Sequence, residues 1–389
     1  MQDMDTTLRQ ITNRIRGATA DRTPLRLRGG GSKDFYGQSL QGELLDLTPF
    51  TGITSYEPTE LVVTARAGTP LAELEAVLAQ QGQCLAFEPP HFKATDTCPG
   101  AATVGGMVAS GLSGPARASA GAVRDYVLGV KLINGQGELL TFGGQVMKNV
   151  AGYDVSRLMV GALGGLGVLT EISLKVLPVA PAEATLMCGG IGQQAALDLL
   201  NRWGGQPLPL NASCWVFDDS TRPARDYLFV RLRGARAAVQ AACPRMMADM
   251  QAQGGEAVQM DNAQAGPDWV ACRDQTLPFF KAPAPDLCLW RLSVPQTVSA
   301  LRLPFAQFIE WHGAQRWLWA PLSAQTQLRQ VAAAVGGSAT IFRASSPDST
   351  WAGDCFDPLK PVMAQIHQRL KNEFDPAGIF NRGRMYATL

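Results

Sequence analysis

The sequence predicts an α+β fold in two domains, a mixed first domain and an antiparallel sheet layered with helices. Three observations lead there. The 389 residues suffice for two separate cores. Strand-like and helix-like stretches alternate up to Leu177, where the tract Pro178-Val179-Ala180-Pro181-Ala182 interrupts them. Beyond that tract the order changes to strand, helix, strand, strand, helix and further strands. The expected limits are 1–180 for the first domain, 181–345 for the second, and 346–389 for a helix and tail that return to the first.

In the first domain, Asp5 to Arg16 reads as a helix with Leu8, Ile11 and Ile15 on one face and Gly17 as its cap. Leu25–Arg28 reads as a short strand running into Gly29-Gly30-Gly31-Ser32-Lys33. Consecutive glycines after a strand can turn several backbone N–H groups to one side, as a phosphate-cradling loop does. Ser32 adds a hydroxyl, and Arg28 and Lys33 add positive charge. Taken alone, the same stretch also reads as a flexible hairpin turn. Strand character returns within Ile53–Ala67. Thr69-Pro70 opens a helix carrying Leu71, Leu74, Val77 and Leu78, closed by Gly82, and Cys84–Phe87 is the returning strand. Thr103-Val104-Gly105-Gly106 leads into a short helix whose unpaired N-terminal N–H groups a ligand could reach. Tyr126–Ile133 and Glu138–Phe142 form a hairpin around Asn134–Gly137, Asp154 caps a short helix, and Val168–Leu177 is a long strand.

In the second domain, strands are expected at Ala184–Met187, Ser213–Phe217, Tyr227–Leu232, Cys288–Val294 and Arg316–Trp319. Helices are expected at Gln194–Trp203, Ala235–Gln251 and Ser323–Val335, packed on one face of the sheet. All eight tryptophans lie between Trp203 and Trp351, as core or as a partner surface. A last helix begins at Asp357-Pro358 with Val362, Ile366, Leu370 and Phe374 every four residues, and ends at Asp375-Pro376.

Composition narrows the function. With 34 basic and 33 acidic residues the net charge is +1, which gives no long-range field for nucleic acid or an anionic membrane. The eight cysteines form no C-x-x-C pair, which argues against a zinc or iron–sulfur site. His91, His312 and His367 stand far apart and make no metal motif. No apolar run reaches about 20 residues, and the first residues lack a signal-peptide core, so the expected location is the cytoplasm with reduced thiols. Gly161–Gly167 (GALGGLG) misses the third glycine of a dinucleotide fingerprint and leads into a strand, and neither a P-loop nor a G-x-S-x-G elbow occurs.

Arg28–Ser32 (RGGGS), Thr103–Gly106 (TVGG) with Gly111–Gly114, and Gly161–Glu171 (GALGGLGVLTE) follow one another in an order that resembles the vanillyl-alcohol-oxidase-type, or PCMH-type, FAD-binding family. The resemblance covers roughly Leu25–Pro178 and the C-terminal tail. It implies a PCMH-type FAD-binding domain of two α/β subdomains with a smaller antiparallel α+β cap domain. It implies that the first stretch holds the pyrophosphate, that the second adds backbone contacts to pyrophosphate and ribityl, and that Gly167 and Val168 border the adenosine half. The candidate FAD residues are therefore Arg28, Gly29, Gly30, Gly31, Ser32, Thr103, Gly105, Gly106, Ser113, Gly114, Gly121, Gly167 and Val168. By family position Asn381 hydrogen-bonds the isoalloxazine edge, with Arg384 or Lys148 nearby. Gly165 stands where the wider family often has threonine. Cys98-Pro99-Gly100 constrains the approach to the second stretch. Relatives that attach FAD covalently do so through a histidine in the first loop; Gly31-Ser32 stands there, which implies non-covalent FAD.

Ser113–Ser119 (SGPARAS), Ala120–Leu128 (AGAVRDYVL), Gly143–Tyr153 (GGQVMKNVAGY) and Asp375–Tyr386 (DPAGIFNRGRMY) resemble, more closely, the E-subunit family of bacterial glycolate oxidases, or glycolate dehydrogenases. That resemblance implies an FAD-binding oxidoreductase subunit working with a larger homologous FAD subunit and an iron–sulfur subunit. The complex would oxidise glycolate to glyoxylate and pass electrons toward the respiratory chain. Membrane contact would come only through partners, at the inner face of the plasma membrane. The cap lacks the histidine-rich metal motif of relatives that oxidise 2-hydroxy acids themselves, so no metal is expected. No catalytic base stands out, Tyr153 being the one candidate, which points to the sibling subunit for substrate oxidation. A self-sufficient FAD oxidoreductase on a small 2-hydroxy acid or sugar alcohol, and a flavin-free scaffold subunit, are the alternatives.

Overall fold

Residues 2–38, 41–92, 100–144, 154–219, 222–344 and 354–389 are described by the structure, a computed structural model. Two compact units form. Residues 1–112, 122–178 and 350–389 make the first, and residues 113–121 with 179–349 make the second.

The first helix, Gln2–Asp21, runs past Gly17 rather than stopping there. Gly17 faces solvent, and Ala18 extends the buried stripe of Ile11 and Ile15 by another turn, so packing outweighs the cost of a glycine inside a helix. The stripe buries against Leu25, Leu45, Ile133, Val168, Ile379 and Phe380. Strand Leu25–Arg28 pairs in parallel with Glu43–Asp46. The tail clamps its start from the other side: Leu25 N–H donates to the Ile379 carbonyl (2.7 Å) and Asn381 N–H to the Leu25 carbonyl (2.9 Å).

A second core in the same unit lies against a five-stranded antiparallel sheet. Its strand order is Ile53–Glu57, Val62–Arg66, Val168–Lys175, Val127–Ile133 and Leu139–Gly143. Helices Leu71–Gln80 and Val104–Ser110 cover it, burying Leu71, Leu74, Leu78, Val104, Met107 and Val108. Thr69 does not cap the first of these helices: its hydroxyl accepts from Gly52 N–H (2.9 Å), and Pro70 takes the cap position. Of the expected strand Cys84–Phe87 only Cys84 pairs, as part of the short strand Gln83–Cys84 against Leu177–Pro178. Glu88 at φ +49° ends the extended run, and Phe87 turns into the core.

The second unit is built on an eight-stranded antiparallel sheet in the order Glu256–Met260, Ala182–Gly189, Arg225–Gly234, Leu210–Asp218, Gln307–Glu310, Gln315–Pro321, Leu287–Ser293 and Ser338–Arg343. Helices lie on both faces, not one. Gln193–Gly204 and Arg236–Ala252 bury Leu200, Trp203 and Met246 against Leu186, Leu228 and Val230. Thr185 and Arg231, next in sequence to Leu186 and Val230, point the other way. There Trp269 of helix Asn262–Arg273 donates to Thr185 Oγ1 (3.0 Å), and the Arg231 guanidinium lies 4.9 Å from its ring centroid. That helix was not anticipated because Gly266-Pro267 reads as a breaker. Trp203, Trp215, Trp269, Trp290, Trp311 and Trp317 are buried and Trp319 is half-buried, its Nε1 donating to the Phe279 carbonyl (2.7 Å), so most of the aromatic enrichment belongs to the core. Trp351 lies outside the described residues. Among the described residues no helix is long and apolar enough to cross a membrane.

Candidate functional site

The strand Leu25–Arg28 ends in a loop that opens onto a cleft of the first unit. Gly31 has φ +76°, a conformation glycine adopts without strain. Among the described residues, the N–H groups of Gly30, Gly31 and Ser32 have no acceptor, and all three residues line the cleft. Consecutive amides left in this way suit the oxygens of an anion. Gly30 is demanded by a different contact: a Cβ there would stand 1.6 Å from the Ala101 carbonyl oxygen. Backbone packs on backbone, and the loop is seated on the chain that enters the second glycine stretch. Charge is arranged unequally. Arg28 Nε sits 2.7 Å from Asp34 Oδ2, so its charge is largely balanced inside the loop. Lys33 lines the cleft too, with Nζ donating to Ser32 Oγ (3.3 Å) and lying 5.6 Å from the Phe92 ring centroid.

The second stretch is built differently. Thr103 is the N-cap of helix Val104–Ser110, and its Oγ1 accepts from Gly106 N–H (3.2 Å). Val104 N–H donates to the Thr69 carbonyl (2.9 Å), and Gly105 N–H to the Ala67 carbonyl (2.8 Å). The first amides of this helix, expected to be unpaired, are thus already taken. A Cβ on Gly105 would meet the Ala67 Cβ at 2.7 Å, so this glycine serves helix–strand packing. Gly106 is open by comparison, with only Thr103 Oγ1 (3.1 Å) near its Cβ position.

The third wall is the 163–169 segment, held by the tail. Asn381 is the clamp: Leu27 N–H donates to its Oδ1 (2.8 Å), and its Nδ2 donates to the Leu163 carbonyl (2.6 Å). Arg384 is buried and donates to the carbonyls of Asp34 (2.8 Å) and Gln38, which grips the chain just after the glycine loop. Lys371 donates to the carbonyls of Gly165 (2.8 Å) and Phe380 (2.7 Å) and pairs with Asp375 (2.8 Å). Burial pushes the Lys371 pKa down, and Asp375 opposes that shift.

Of the residues singled out in the sequence, Arg28, Gly29, Gly30, Gly31, Ser32, Thr103, Gly105, Gly106, Gly167, Asn381 and Arg384 line this one cleft. Val168 does not; it is fully buried in the core under the first helix. Ser113, Gly114 and Gly121 belong to the second unit. Lys148 and Tyr153 lie outside the described residues, as do Cys98 and Pro99. The cleft also has walls the sequence did not flag, notably Leu27, Leu47, Ala67, Ala109, Leu163 and Leu169. These apolar residues give no local signal, because only the folded chain brings them to one side. They suit a flat, partly apolar ligand whose anionic portion meets the glycine loop.

Other chemistry-bearing groups are internally satisfied. In the second unit, His312 Nε2 lies 2.9 Å from Ser119 Oγ and Nδ1 lies 2.9 Å from Ser213 Oγ. Burial lowers its pKa to about 4, so it is neutral at pH 7. Burial also pushes the Cys214 and Cys272 thiols well up, which keeps them protonated. Among the described residues no group of His, Cys, Asp and Glu could hold a metal ion.

Comparison with known proteins adds to this geometry. The sequence profile of a family described as FAD binding domain matches residues 6–143. The chain is 44% identical over 379 residues to the glycolate oxidase subunit GlcE of Escherichia coli (strain K12), covering 97% of each. It is 33% identical over 146 residues to a D-lactate dehydrogenase of Anaerostipes hadrus, covering 38% of this chain and 29% of that one. It is 28% identical over 168 residues to the glycolate oxidase subunit GlcD of Bacillus subtilis (strain 168), covering 43% and 34%. Among solved structures, an alkyldihydroxyacetonephosphate synthase superposes with a TM-score of 0.66 at 13% identity, covering 95% of this chain and 74% of that one, a likeness of fold alone.

Proposed function

We propose, since the chain belongs to the family of the glycolate oxidase subunit GlcE, that it is the FAD-binding subunit of a complex that oxidises glycolate to glyoxylate. FAD is the cofactor of its FAD binding domain, and the chain is an oxidoreductase of the PCMH type. When bound, the flavin supplies the redox chemistry, and the protein supplies position and electrostatics.

The observation that carries the reading is the run of amides at Gly30, Gly31 and Ser32 that have no acceptor among the described residues and lie on the cleft. These N–H groups would bind the pyrophosphate oxygens, with Lys33 adding positive charge and the Ser32 hydroxyl a further donor. Leu27, Leu47, Ala67, Leu163 and Leu169 would exclude water from the apolar parts of the cofactor. Asn381 would hold the first and third walls at a set spacing. Ser113, Gly114 and Gly121 remain proposed FAD contacts from the family resemblance alone. The described lining holds no histidine or cysteine, which supports non-covalent attachment.

Oxidation of a 2-hydroxy acid needs a base for the hydroxyl proton and a cation for the carboxylate. Among the described residues the one carboxylate lining the cleft, Asp34, is tied to Arg28. This supports placing substrate oxidation in a larger homologous FAD subunit, with electrons passing to an iron–sulfur subunit and on to the respiratory chain. The test is the visible spectrum of the purified full chain. It should show flavin absorbance and release FAD on denaturation without proteolysis; a colourless chain overturns the reading. Glycolate should bleach the flavin in the assembled complex but not in the isolated chain. Bleaching of the isolated chain would move substrate oxidation here.

A further inference from the structure

The terminal helix Pro361–Phe374 carries an apolar residue at every fourth position, Val362, Ile366, Leu370 and Phe374. Such a stripe is ordinarily covered along its whole length. Here only its last part is. Phe374 is 8% exposed, whereas Val362 is 68% and Ile366 44% exposed, with Met363 beside them at 44%. Past its exposed residues the stripe runs on to Leu370, which with Leu158 and Met385 borders a groove of the first unit. Leu158 is itself an exposed apolar residue. Apolar side chains gathered on one surface in this way mark an interaction site.

The charge around the groove says what fits it. Its described lining includes Arg124 and no aspartate or glutamate. Arg124 is exposed and makes no ion pair among the described residues, and Lys360, just before the terminal helix, is also exposed, while exposed Arg369 and Glu373 of that helix stand four residues apart and offset each other. A second copy of this chain would set these cations against their own counterparts, which costs affinity. A different protein with an apolar ridge edged by carboxylates would not. The groove also shares Asn381 and Arg384 with the cofactor cleft, so whatever seats there lies one layer of side chains from that cleft.

We propose that the exposed half of this helix and the groove beside it dock another subunit of the same assembly, through an apolar ridge flanked by acidic side chains. This rests on the reading that the chain works inside a multi-subunit complex, not on which subunit oxidises substrate. The complex, purified through a tag on this chain, tests it. A photo-crosslinking residue in place of Ile366 should join the chain to an acidic segment of another subunit; a cross-link to a second copy or within the chain overturns the proposal. The double variant Val362→Asp/Ile366→Asp, and separately Arg124→Glu, should lower co-purified subunits about tenfold or more, with the flavin-to-protein ratio of the chain unchanged. Undiminished assembly in both variants overturns the docking surface alone. A wild-type chain that brings down no other subunit overturns the assembly reading and the docking surface together.

Discussion

Two glycine-rich stretches face the same cleft, and they use glycine for opposite ends. In Gly29–Ser32 the amides of Gly30, Gly31 and Ser32 are left without acceptors among the described residues, and the loop offers them to the cleft. In Thr103–Gly106 the amides are taken up by Thr69, Ala67 and the Thr103 hydroxyl. There Gly105 lets a helix lie against Ala67. On the function proposed above, the first loop would bind the cofactor, and the second would be the wall it leans on. A glycine beside a ligand cleft is thus no sign of ligand contact until its N–H has been traced to an acceptor.

The two roles meet at Gly30, which gives the largest expected effect. It lines the cleft with an N–H that has no acceptor among the described residues, yet its missing side chain makes room for Ala101. Gly30→Ala adds only a methyl group and no charge. That methyl would collide with the Ala101 carbonyl and force the loop off its seat, so the purified variant should retain no detectable flavin. A flavin-to-protein ratio equal to wild type would show that the loop is not seated as described.

Asn381→Ala comes next. It leaves the Leu27 N–H and the Leu163 carbonyl without their partners, and each buried unsatisfied group costs roughly 1–3 kcal/mol. The first and third walls would part, so both chemical stability and FAD affinity should fall. Asn381→Asp keeps the acceptor for Leu27 and loses the donor to Leu163, and should fall between the two. If Asn381→Ala lowers affinity without lowering the denaturation midpoint, the residue touches the cofactor rather than holding the walls.

How much of this was legible in the sequence follows from the same contrast. A strand of alternating residues followed by three glycines is a local pattern, and Leu25–Arg28 and its loop could be read from it. Most strands of the two sheets were readable for the same reason; Glu256–Met260, Gln307–Glu310 and Ser338–Arg343 were not. What decides the role of each glycine is not local. The acceptors of Val104 and Gly105 lie at Thr69 and Ala67, more than thirty residues back, and the clamp on Leu27 comes from Asn381. The apolar walls carry no pattern of their own. Helix Asn262–Arg273 was hidden because Trp269, which anchors it, follows Gly266-Pro267 and tertiary burial overrides the breaker. Gly17 likewise reads as a stop, and Ala18 carries the helix on.

Gly105→Ala separates the two loops directly. The new methyl would meet Ala67 at 2.7 Å, an overpacking that costs typically about 1–3 kcal/mol. The loss should appear in urea unfolding of the apoprotein, while the FAD affinity of the folded protein moves by less than the stability does. An affinity loss larger than the stability loss would mean that the second stretch binds the cofactor as directly as the first.

Thr103→Ala is the finest probe of the contrast. Its hydroxyl accepts from Gly106 N–H and lies where a side chain on Gly29 would fall, 2.4 Å from that Cβ position. Removing an N-cap of this kind costs about 1 kcal/mol. It also frees the Gly106 amide, the residue of the second stretch with the most open surroundings. If the second stretch only supports the first, the variant should lose about 1 kcal/mol of stability and bind FAD a little more weakly or unchanged. If the freed amide can reach the cofactor, FAD affinity should rise as stability falls. Titrating FAD into the apoprotein of wild type and variant, beside their unfolding curves, distinguishes the two, because only a ligand-facing amide moves the two quantities in opposite directions.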